Sequence, residues 1–189
     1  MSSYNEWIYN RSTEEINLQI KALEYEQLYF KDMIIGPEGI GVISKISDTI
    51  MELCDPVESG IILVQFHISD KLEFEGLYNH KDKSISIRNV NDDTTLLHEM
   101  IHFYIDNLEE INPAICECLL VDLYKTLSKR INNIDELILE HAELSSLTRL
   151  ETYGGIHGVL FLLKSYDLDL KCKYNLGTTF GYGYANTAD

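Results

Sequence analysis

The chain predicts an α+β fold: a small antiparallel sheet of about three strands, packed against one HExxH helix and a further helical bundle, with N-terminal helices added. Three observations carry this. Apolar residues recur at helical spacing near the N-terminus. The period then changes to two over residues 61–88. From residue 91 onward it returns to a helical spacing. At 189 residues, with 45% hydrophobic and 24% charged residues, the chain is long enough for one globular domain over 1–189.

Three regions follow within it. Residues 10–55 hold the N-terminal helices. STEEINLQIKALEYEQLYF (12–30) opens on a Ser/Thr-x-x-Glu capping pattern and spaces Ile16, Ile20, Leu23 and Phe30 along one side. Gly36-Pro37 interrupts it, and 40–53 reads as a second helix. Residues 60–131 hold the sheet and the candidate metal-binding helices. Ile61–Ile68 is a β-branched run, while LEFEGLY (72–78) and SISIR (84–88) alternate and flank the turn Asn79-His80-Lys81-Asp82. Helical spacing covers 93–108 and 113–131. Residues 132–189 add helices over 134–147 and 155–165 and a tail rich in glycine and tyrosine.

Charge narrows the function. Fifteen Lys and Arg against 31 Asp and Glu leave −16, which argues against direct binding to nucleic acid or to anionic membrane, since both need a basic surface. The first residues, MSSYNEWIYNRSTEE, lack a basic and apolar leader pattern, and no apolar run is long enough to span a bilayer, so a cytoplasmic protein is expected. Cys54, Cys116, Cys118 and Cys172 have no paired-cysteine zinc spacing and read as buried thiols.

The chemistry is concentrated in Leu96-Leu97-His98-Glu99-Met100-Ile101-His102, an HExxH pattern. Four residues apart on a helix, His98 and His102 project from one face and can share a Zn²⁺. Glu99, about 100° round, can act as the base that deprotonates a metal-activated water. Asp92-Asp93-Thr94 supplies the cap, and Leu97, Ile101, Tyr104 and Leu108 form a separate apolar face, so the histidines are not needed for packing. The preceding hairpin suits an extended substrate held by main-chain pairing.

A third ligand is needed. Asn112-Pro113 marks a helix start, so 93–108 and 113–131 should form an αα-hairpin. His102 then lies about 9 Å from one helix end and Glu117 about 6 Å from the other, at similar heights. Glu117 shares a face with Leu120, Val121 and Tyr124, which puts its carboxylate on the packed side, where it needs a positive partner. Glu109 and Glu110 fall in the hairpin loop. His157, in GGIHGVLF, is the rival ligand; otherwise it or Tyr153, Tyr182 or Tyr184 can donate to an oxyanion. Asp106 is a candidate acceptor for an imidazole N–H, and His141, beside Glu140 and Glu143, reads as a surface residue.

Residues Gly76-Leu77-Tyr78, Ser84-Ile85-Ser86-Ile87 and Thr95–His102 resemble the strand-then-helix core of small HExxH zinc peptidases of the gluzincin kind, the ImmA/IrrE-like group and short phage-type relatives. The helix Glu117-x-Leu119-x-x-x-Leu123-Tyr124-x-x-Leu127 resembles their glutamate-bearing helix. This resemblance implies His98, His102 and Glu117 as ligands and Glu99 as general base. A second resemblance is to the SprT-like group, whose third ligand is a histidine in HGxxF; His157-Gly158-Val159-Leu160-Phe161 has those characters, after a long gap. The expectation is a zinc-dependent metallopeptidase with a protein or peptide substrate that presents a basic face. The alternative is a silent zinc-binding interaction protein whose acidic surface blocks a basic partner.

Overall fold

The computed structural model describes residues 12–33, 65–111, 113–147 and 157–181. Their elements are α1 (Thr13–Tyr29), a 3-10 turn (Lys31–Met33), β1 (Gln65–Ile68), β2 (Gly76–Asn79), β3 (Ser84–Ile87), α2 (Asp93–Ile111), α3 (Pro113–Leu127), α4 (Ile134–Leu147) and α5 (Val159–Cys172). This is the expected α+β class with a small sheet. α2 runs on to Ile111, which places Glu109 and Glu110 in its last turn rather than in a loop, and α3 ends at Leu127. The helix expected at 155–165 starts at Val159 and continues to Cys172. The helix expected over 40–53, the first half of the 61–68 strand and most of the tail lie outside the described residues. No described helix is long and apolar enough to cross a membrane. The chain divides into two compact units, residues 1–103 and 104–189.

In the first unit, α1 begins on a complete capping box. The Glu15 N–H donates to Ser12 Oγ at 3.1 Å, and the Ser12 N–H donates to Glu15 Oε2 at 3.0 Å. Its packed face differs from the expected one. Leu18, Gln19, Ala22 and Glu26 are buried, whereas Ile16 and Ile20 are exposed. Apolar residues lie on more than one side of this helix, so spacing alone did not single out the side that packs on β1.

The sheet order is β1-β3-β2. β2 and β3 form the expected antiparallel hairpin, from Gly76 opposite Ile87 to Asn79 opposite Ser84. Its turn is closed by Asn79 Nδ2 donating to Asp82 and by Ser84 Oγ donating to Asp82, with Lys83 left-handed at φ 51°. β1, however, runs parallel to β3, with Gln65 opposite Ser84 and Ile68 opposite Ile87. The sheet is therefore mixed, not antiparallel. Residues 69–75 carry the chain past β3, and side-chain alternation reports pairing but not direction. β3 is the central strand, with Ile85 and Ile87 fully buried.

In the second unit, Pro113 is the first residue of α3, as its fixed φ and missing N–H favour. α3 and α4 both pack on α5. α5 is buried without interruption from Leu160 to Asp169. Its polar members are partnered: Lys164 Nζ and Lys171 Nζ both donate to Asp167 Oδ2, at 3.2 and 2.7 Å. Asp169 fastens the segment that follows, accepting from Thr179 Oγ1 at 2.6 Å, the Thr179 N–H at 2.9 Å and the Gly177 N–H at 2.7 Å. Cys118 is exposed and Cys116 half-buried, so the thiols are not uniformly interior.

Candidate metal centre

The His98–His102 pair is built up from the N-terminus of α2. Asp92 Oδ1 accepts from the Thr94 and Thr95 N–H groups, each at 3.1 Å, and from Thr94 Oγ1; Oδ2 accepts from Thr95 Oγ1 at 2.7 Å. Partial burial pushes the Asp92 carboxyl up, but these bonds outweigh it and hold it below the ordinary carboxylate value. The helix start is thus rigid one turn before the histidines.

From there the expected face forms. Leu97, Ile101, Tyr104 and Leu108 are fully buried. Phe103 meets Tyr78 of β2 edge-on, with ring centroids 6.0 Å apart, which registers the strand against the helix. His98 and Glu99 are each only 3% exposed, and His102 is half-buried. The two imidazoles stand at 70° to one another, with Nε2 atoms 3.2 Å apart. Two nitrogens bound to one tetrahedral Zn²⁺ at 2.0–2.1 Å lie roughly 3.3 Å apart. The pair therefore fits the separation that a shared ion requires.

Another imidazole is prepared in the second unit, where the sequence left His157 as a rival. His157 lies directly before α5, beside the N-cap Gly158. Its ring is set edge-on against Phe161 at 4.8 Å and Phe180 at 5.6 Å. His141 Nε2 lies 2.8 Å from the His157 carbonyl oxygen and donates to it. Burial, reinforced by the neighbouring His141, pushes the His157 ring down to about 4. It is neutral at physiological pH, the state a metal ligand must have. His141 is itself buried, not a surface residue as its acidic neighbours suggested, and burial lowers its proton affinity as well.

Within the first unit, His98 and His102 offer a metal ion two imidazole nitrogens. Glu117 is exposed, and the face of α3 that packs is Leu119, Leu123 and Leu127. Glu117 lies two positions before Leu119, about 200° of rotation, so its carboxylate is turned away from the packed side. Tyr153, Tyr182 and Tyr184 lie outside the described residues, and Asp106 is half-buried on α2. Two features were not legible: that the Glu99 side chain rests against Gly76, and that His141 and Phe180 support His157. A lone glycine inside a strand was the available signal for the first; nothing in the sequence pairs residue 141 with 157. No family model matches the chain, and neither does any curated protein or solved structure.

Proposed function

We propose that the chain is a zinc-dependent metallopeptidase that cleaves a protein or peptide substrate inside the cell. The observation that carries this is the convergence of His98 and His102, Nε2 to Nε2 at 3.2 Å, beside a buried glutamate one residue along. His98 and His102 would supply two imidazole nitrogen donors, a ligand type that suits zinc, and His157 is the third imidazole that the sequence offers. When bound, zinc supplies a Lewis acid and makes water nucleophilic near neutral pH. Glu99 takes the proton of the attacking water and returns it to the leaving amine. Its burial excludes bulk water from that transfer. The net charge of −16 favours a substrate with a basic face.

Metal analysis of the purified chain and hydrolysis of dye-labelled casein and of lysine-rich peptides test this reading. Glu99→Gln should keep about one zinc per chain and lose turnover by about 100-fold or more. Turnover retained in that variant, or zinc absent from the wild type after zinc loading, overturns it.

A further inference from the structure

Gly76 opens β2 and pairs with Ile87 of β3 in ordinary ladder register. Among the described residues the glycine with a positive φ is Gly177, so Gly76 is not needed for backbone freedom. It is needed for room. A Cβ built there would stand 2.5 Å from Thr95 Cγ2, 2.7 Å from Glu99 Oε1 and 2.9 Å from Glu99 Cγ. Two of these three atoms belong to one side chain, the buried carboxylate that the HExxH pattern marks as a base. Thr95 is held through Asp92, so it cannot readily give way. The strand and the helix are also registered by Tyr78 against Phe103, which resists a rigid shift of one from the other.

We propose that Gly76 is a positioning residue: the missing side chain lets the Glu99 carboxylate lie against β2, and the bare backbone sets where that carboxylate points. A methyl group at this position displaces the carboxylate while leaving both histidines in place on α2. The inference rests on the metallopeptidase reading, because it assigns Gly76 a role only through Glu99.

The test uses the full chain loaded with zinc and acetohydroxamate as probe, a metal chelator whose acidic proton a correctly placed carboxylate accepts. Calorimetric titration of wild type, Glu99→Gln, Gly76→Ala and Gly76→Ala/Thr95→Ser is run beside zinc affinity and thermal midpoint. Glu99→Gln and Gly76→Ala should each weaken the hydroxamate about tenfold or more, the loss of one charge-assisted hydrogen bond, with zinc still bound. Removing Thr95 Cγ2 relieves the closest contact, so the double variant should regain thermal stability but not hydroxamate affinity. It also carries the test if Gly76→Ala alone does not fold. Wild-type hydroxamate affinity in Gly76→Ala, or its recovery together with stability in the double variant, reduces Gly76 to a packing residue and overturns the inference alone. Undiminished binding by Glu99→Gln, or no zinc in the wild type, overturns the metallopeptidase reading and takes the inference with it.

Discussion

Helices α2 and α3 are neighbours in sequence, and each carries residues that the sequence marks as metal ligands. They meet opposite fates. On α2 the histidines lie beside a stripe, Leu97, Ile101, Tyr104 and Leu108, that is fully buried. On α3 the glutamate lies opposite the stripe that packs. The difference is one of competing stripes. α2 has two adjoining apolar stripes, Leu97-Ile101-Tyr104-Leu108 and Leu96-Met100-Phe103, and both are fully buried, so no choice between them moves His98, Glu99 and His102. α3 has two, Leu120-Val121-Tyr124 and Leu119-Leu123-Leu127, and only packing on α5 selects the second. A ligand assignment that depends on which face of a helix is inside is therefore only as good as the contrast between its faces.

The largest effect that could break this comparison is on metal content. His102→Ala should weaken zinc binding by more than about 100-fold, beyond the range typical for supporting residues, while Glu117→Gln should leave it unchanged. Equilibrium competition against a chromogenic chelator measures both. Zinc loss in Glu117→Gln would return the glutamate to the ligand set and remove the contrast between the helices. The next effect is on stability and sharpens the choice of stripe. Leu123→Ala opens the buried side of α3 and should cost about 2–5 kcal/mol. Val121→Ala, at a residue 44% exposed, should stay within about 0.5 kcal/mol. Urea unfolding of the two variants decides between the stripes, and equal losses would mean that both sides of α3 are packed.

Local signals were legible and remote ones were not. The capping box at Ser12, the turn at Asn79–Asp82, the cap at Asp92 and the HExxH face all depend on residues within four positions of each other, and each formed as read. The direction of β1 depends on a crossing of seven residues with no side-chain signature, and it is parallel where the sequence suggests antiparallel. The buried face of α1 and that of α3 depend on what lies against them. His141 shows the limit most clearly. Its neighbours Glu140 and Glu143 suggested a wet surface, yet its ring is buried and bonded to a carbonyl sixteen residues away. His157 was legible only as one of two candidates, because its aromatic surroundings come from Phe161 nearby and from Phe180 far along the chain.

The smallest expected effect concerns how firmly α2 is begun. Asp92 accepts four hydrogen bonds from Thr94 and Thr95, and these outweigh the burial that opposes its charge, so its folded pKa lies below the ordinary value of 3.8. A carboxyl with a depressed folded pKa binds fewer protons folded than unfolded as pH falls below its unfolded value. Its contribution is therefore complete above about 3.8 and is lost as pH drops through the lower folded value. Asp92→Ala should destabilise the chain by about 1 kcal/mol near neutral pH, the usual worth of such a cap. The gap between wild type and variant in thermal midpoint should then narrow below pH 4 and not above it. α3 starts on Pro113 and has no acidic residue in its first turn, so no such acid-dependent step should attach there. A gap that stays constant into the acid range would mean that Asp92 acts by shape alone, and the firmer anchoring of the histidine helix would need another source.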